Sequence, residues 1–202
     1  MKTSRFKPAT LARSLLGCFT AAWMAHSPAP STTTSRGPAP AALAKDDDSR
    51  TAGDAIAELR RRRLRLPLDN VIIAAMKGQF GEAREHGARG HEAVDLLAPR
   101  GTPVHAIEDG TIAKLFLSKA GGNTVYQFDP SGRYCYYYAH LQRYGDIREG
   151  QSVKAGDTIG YVGTSGNAPP DTPHLHLAIF VVARDGQWWS GRPLDPYQVY
   201  GG

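Results

Sequence analysis

Six β-rich runs crowd between positions 104 and 182, at 104–107, 111–117, 124–128, 134–141, 158–162 and 175–182. Between them stand Glu108-Asp-Gly110, Ala120-Gly-Gly-Asn123, Asp129-Pro-Ser-Gly132 and Arg148-Glu-Gly150, all sequences that favour turns. Short strands at such close spacing are expected to pair as antiparallel neighbours in an all-β sandwich or barrel-like domain. That domain is expected over residues 67–198. In Tyr134-Cys-Tyr-Tyr-Tyr-Ala-His140, strand alternation places Tyr134, Tyr136, Tyr138 and His140 on one face. The tyrosines suit either a substrate groove or the packing of the sheet.

The region before the strands has a different character. Residues 1–25 read as a signal or leader segment: Lys2, Arg5, Lys7 and Arg13 precede or open an apolar run over 14–25, and Asp and Glu are absent. Leu15-Leu-Gly-Cys18 resembles a lipoprotein box, so cleaved, retained and lipidated fates are all open. Residues 26–66 read as a Pro/Ala/Ser/Thr-rich linker followed by a short basic helix over 52–65, which contains Arg60-Arg-Arg-Arg63. That helix suits an anionic surface, but a solvated face is the simpler reading. The leader gives the chain a means of touching a membrane surface, although no stretch of 18 apolar residues is present.

The formal charge of +5 points first to nucleic acid. Its placement argues against that partner. Without the four basic residues of the leader, 20 basic side chains face 19 acidic ones, whereas phosphate recognition needs a basic surface on the folded part. Of the two cysteines, Cys18 lies in the leader, so Cys135 has no partner within the domain and is expected to be a buried small hydrophobe. No obligate protein partner is readable.

Six of the seven histidines lie between positions 86 and 176. His174-Leu-His176, expected at the tail of one strand, places two imidazoles on one side, about 6–7 Å apart along the chain. His91-Glu-Ala-Val-Asp95 invites a helical zinc motif with Glu92 as base, but Gly90 before it and Pro99-Arg-Gly101 after it leave too little room for a helix. His91 and Asp95 can meet at one metal only if the chain bends, with His91 on a loop, Asp95 entering a strand and Glu92 pointing away. His140, in Tyr138-Ala-His-Leu141, ends another strand. A His, an Asp and a His make a three-ligand zinc site with an open position, and two further histidines can handle protons. Zinc there would polarise a scissile carbonyl and lower the pKa of a bound water towards ~7.

These stretches, with Arg89-Gly90 ahead of the first, resemble the lysostaphin-type zinc metallopeptidases, also called LytM-like or duplicated-hybrid-motif peptidases. The likeness extends through Ala98-Pro-Arg-Gly-Thr-Pro-Val104, Glu108-Asp-Gly110, Gly150-Gln-Ser-Val-Lys-Ala-Gly-Asp157, Ile159-Gly-Tyr-Val-Gly163 and Pro173-His-Leu-His-Leu177. The resemblance implies one catalytic Zn2+ held by His91, Asp95 and His176, with His140 and His174 as catalytic partners. It implies an exported endopeptidase cutting peptidoglycan cross-links or stem peptides in the periplasm or cell envelope of a bacterium. Its alternative is a catalytically silent, metal-binding regulator of cell-wall amidases with the same fold. A phosphotransfer carrier domain is a third reading, opposed by the His91–Asp95 pair.

Ala93 stands where the family usually has Gly, and Leu177 where it usually has a bulkier residue. Neither change removes a ligand. Among the other residues, His86 is a candidate cleft residue and His105 a rim residue. Trp188 and Trp189 are expected to pack the C-terminal segment on the sheet, and Gly163-Thr-Ser-Gly-Asn167 to frame the cleft rather than bind phosphate.

Overall fold

The computed structural model describes residues 51–84 and 89–201, which belong to one compact unit. The leader, the linker up to residue 50 and His86 lie outside the described residues. Helix α1 (Ala52–Arg62) is followed by a 3-10 turn (Ile73–Met76) and eleven strands: β1 (Ala83–Arg84), β2 (Arg89–Gly90), β3 (Val94–Leu97), β4 (Pro103–His105), β5 (Gly110–Ser118), β6 (Gly122–Phe128), β7 (Tyr134–Tyr144), β8 (Ser152–Val153), β9 (Thr158–Val162), β10 (His174–Val182) and β11 (Gly191–Leu194). A short helix α2 (Pro196–Tyr200) follows. All pairings are antiparallel, and nine strands form one sheet. No helix among the described residues is long and apolar enough to cross a membrane.

The main path of the sheet runs β11-β10-β7-β6-β5-β8. β3 lies against the first half of β10 and β11 against its second half. β7 pairs with β10 through Tyr134–Ala139 and then, from Leu141 on, with β9, which carries β4 on its other edge. A strand that changes partners in this way turns a corner, and the corner closes the sandwich. Its core holds Val94, Leu96, Val104, Ile107, Ile159, Leu175, Leu177 and Ile179 with the fully buried Tyr134, Tyr136 and Tyr138.

The opposite face of β7 is covered too. Cys135, Tyr137 and Ala139 join Tyr126 and Val182 in a smaller cluster, against which Phe128, Phe180 and Trp188 pack. Cys135 is fully buried there, and burial pushes its thiol well above the ordinary value, as suits a small hydrophobe. Trp188 meets Tyr126 at 4.5 Å between ring centroids, and Trp189, 55% exposed, packs edge-on against Trp188 at 4.8 Å.

Alternation holds along β7 as far as Tyr138 and then fails. Opposite Thr124 of β6 stand two residues of β7, Ala139 and His140, which marks a bulge between the register pairs Val125↔Tyr138 and Asn123↔Leu141. His140 takes φ +58°, the left-handed region. The extra residue returns its imidazole to the face of Tyr137 and Ala139, so His140 does not share the face of the three core tyrosines. The turn beside it is packed backbone to backbone. A Cβ on Gly122 (φ +64°) would fall 2.4 Å from the Ser165 carbonyl carbon, and one on Gly166 (φ +76°) 2.2 Å from Ala120 O.

Helix α1 starts at a capping box, in which Asp54 N donates to Thr51 Oγ1 and Thr51 N to Asp54 Oδ2. It ends earlier than expected because Arg63 turns left-handed at φ 55°. Ala55, Ile56 and Leu59 enter the main core. The basic run is not wholly solvated either. Arg62 bonds Glu58 at 2.7 Å and Asp129 at 2.9 Å and lies 3.3 Å from Glu108, while Glu58 also receives Arg133 and the Tyr134 hydroxyl.

Candidate metal centre and active site

Antiparallel register brings the two halves of the site together. His176 of β10 lies opposite Asp95 of β3, and His174 opposite Leu97. Directly opposed residues share a face. Leu175 and Leu177 point to the core, so His174, His176 and Asp95 project from the other side of the sheet. The histidine pair opens β10 rather than closing a strand. His91 sits on the loop before β3, and Glu92 is exposed beside it. Ala93 is 1% exposed and Leu177 fully buried, so both departures from the family pattern are absorbed by packing.

His176 Nδ1 lies 2.9 Å from Asp95 Oδ1, His91 Nε2 lies 3.2 Å from the same oxygen, and the two nitrogens are 3.3 Å apart. A tetrahedral metal with bonds of about 2.0–2.1 Å separates its ligands by about 3.3–3.4 Å, so this triangle is close to the size such an ion needs. A backbone carbonyl sets the tautomer of His91: Nδ1 donates to Gln79 O at 3.2 Å, which leaves the Nε2 lone pair facing Asp95 and His176. Burial on its own would raise the Asp95 carboxyl. The hydrogen bond from His176 and the polar contact with His91 outweigh it and hold the group ionised, well below the usual carboxylate range. Burial lowers His176, with Asp95 opposing, which favours the neutral imidazole a metal requires.

The other two histidines flank the triangle. The His140 ring centroid is 4.9 Å from that of His174 and 5.5 Å from that of His176. His140 Nδ1 donates to Ser165 O and His174 Nδ1 to Thr172 O, each at 2.8 Å, so in both rings Nε2 is the acceptor. His174 Nε2 is 3.9 Å from Asp95 Oδ1. Burial pushes His140 down to about 4, against the opposing Ser165 carbonyl, and the ring is neutral at neutral pH. The segment 163–167 thus frames the cleft through Ser165 O.

His105 is absent from the cluster. Its Nδ1 bonds Gly156 O at 2.9 Å, and its Nε2 lies 3.7 Å from Asp69. Sequence reasoning missed the carbonyls of Gln79, Ser165 and Thr172, because a backbone acceptor carries no residue signature. It also missed the Gln79 side chain, which sits in a turn-rich stretch, Met76-Lys-Gly-Gln-Phe-Gly81, without a motif.

Two imidazoles and one carboxylate, with side chains of Asp95 and His176 still 19% and 23% exposed, form a donor set that remains open to solvent. His91, Asp95 and His176 could hold a metal ion. Residues 89–196 match peptidase family M23, and the chain belongs to that family.

Among its relatives is the peptidoglycan DD-endopeptidase ShyC of Vibrio cholerae, 35% identical over 127 residues, which cover 61% of this chain and 28% of the relative. The L-Ala--D-Glu endopeptidase of Bacillus subtilis is 34% identical over 128 residues, covering 60% of this chain and 38% of that protein. The chain therefore spans well under half the length of these two curated relatives. In structure it resembles the catalytic domain of lysostaphin from Staphylococcus simulans, with TM-score 0.51 and 27% identity over 64% of this chain and 98% of that domain.

Proposed function

We propose that the chain is an exported, zinc-dependent endopeptidase that hydrolyses peptide bonds in peptidoglycan cross-links or stem peptides. The observation that carries this reading is the convergence of five donor side chains on one sheet face, three at metal-ligand separations and two beside them. Membership of peptidase family M23 and the names of the relatives support the substrate class. The basic, then apolar, leader supports export to the bacterial envelope.

In this reading His91 Nε2, Asp95 Oδ1 and His176 Nδ1 would hold the ion. Zinc bound there would supply Lewis acidity towards the scissile carbonyl and acidify a water. His140 is neutral with Nε2 as acceptor, so it can take the proton of the attacking water. His140 then gives that proton to the leaving amine, and His174, anchored by Thr172 O, flanks the same position. Asp95 stays ionised and offsets the positive charge collected around it.

The test is chromatography of muropeptides released from purified peptidoglycan by the full chain, with chelator and with zinc restored. Zinc-reversible release of cross-link or stem-peptide fragments is expected, and the fragments identify the bond. Zinc bound at one equivalent without release would favour the silent regulator of cell-wall amidases instead.

A further inference from the structure

We infer that Gln79 is the positioning residue that sets His91 and Asp95 in their mutual geometry before a metal arrives. The inference rests on the ligand assignment proposed above. Gln79 reaches both residues at once, although Asp95 is 16 positions away in sequence. Its side-chain Oε1 accepts the Asp95 N–H at 2.7 Å, and its Nε2 donates to Asp95 O at 3.2 Å. The same Nε2 donates to Ala75 O at 2.7 Å, and its own carbonyl accepts His91 Nδ1–H at 3.2 Å.

This arrangement has a consequence for β3. The N–H and C=O of one strand residue point to the same side. Because those of Asp95 face Gln79, Asp95 and His176 form a non-hydrogen-bonded pair across β3 and β10, the kind in which opposed side chains stand closer. The amide of Gln79 thus occupies the outer edge of β3 as a neighbouring strand would. Two further bonds, Gly81 N to His91 O and His91 N to Glu82 O, fasten the same turn to the His91 backbone. The first two ligands are held by one clamp.

Simple edge capping would give Gln79 a role in folding only. The two roles differ in what they predict for metal affinity. Zinc alone, titrated into the full chain in competition with a chromogenic chelator, reads that affinity directly, and thermal melting of the metal-free chain reads the fold.

Gln79→Met keeps length and apolar bulk but loses every side-chain hydrogen bond. It is expected to weaken zinc binding roughly 10- to 100-fold, the usual effect of losing a residue that orients a ligand, with metal-free melting little changed. Lys77→Ala, an exposed neighbour in the same turn, is expected to bind zinc as the parent does. Should Gln79→Met fail to fold, Gln79→Asn decides, because the amide is retained but is one methylene too short to span Asp95 and Ala75. Parent-like zinc affinity in the folded variant, or a loss of affinity that only follows a lowered metal-free melting temperature, would overturn the inference. A parent chain that binds no zinc would instead overturn the ligand assignment beneath it.

Discussion

His140 occupies backbone that a residue with a Cβ adopts at a penalty on the order of 1 kcal/mol or more. What holds it there is local and countable. His140 N donates to Gly121 O at 2.8 Å, and its Nδ1 donates to Ser165 O at 2.8 Å. The bulge redirects its ring to the face of His174 and His176, so the strain and the placement of the imidazole have one cause. Since His140 is not one of the three atoms within ligand reach, His140→Ala is expected to bind one zinc per chain and to lose roughly 10²- to 10⁴-fold in kcat. His176→Ala removes a proposed ligand and should lose both zinc and activity. Metal analysis beside the rate assay separates the two roles, and equal zinc loss in both variants would contradict them.

At the scale of the elements, α1 is attached by apolar burial and by one ionic knot. The side chain of Asp129 is fully buried, and it meets Arg62 at 2.9 Å while also accepting from Ser131 and Tyr134 N. Removing one partner of a buried pair strands the other, at about 3–5 kcal/mol for a fully buried one. Arg62 keeps 23% of its side chain exposed and Asp129 keeps two other donors, so Arg62→Met is expected to cost about 2–3 kcal/mol. That corresponds to a melting temperature lower by about 4–12 °C, measurable by circular dichroism. The helix itself was legible from helix formers after Thr51. Its ionic anchorage was not, because Glu108, Asp129 and Arg133 are brought to Arg62 and Glu58 from parts of the chain far away in sequence.

The strands divide in the same way. The six runs show in the sequence because aromatic and β-branched residues alternate between clear turns, and β9 has the expected bounds of 158–162. The two-residue β1, β2 and β8 and the proline-bearing β11 exist only through their neighbours and leave no periodic trace. The turn of His140 was illegible for a related reason: the contact of Gly122 and Gly166 with distant backbone decides it.

For the whole molecule, one sheet has two unlike faces. One seals the core, and the other carries the histidines beside a second aromatic cluster. His91 and His176 are 85 residues apart in sequence, so the triangle exists only when β3 and β10 are paired. Metal binding is then linked to folding: an ion that binds the folded chain but not the unfolded one stabilises it by RT ln(1 + [L]/Kd), about 2.7 kcal/mol at a hundredfold excess over Kd. For a chain of this size that is a rise in melting temperature of about 5–10 °C, somewhat less if unfolded histidines also bind zinc. Differential scanning calorimetry of the full chain should show the rise with zinc and its reversal by chelator. Asp95→Asn loses the carboxylate of the proposed ligand set and should lose most of the shift, whereas replacing His105, which bonds Gly156 O instead of the triangle, by Ala should keep it. A shift that survives Asp95→Asn undiminished would place the stabilising ion elsewhere in the fold.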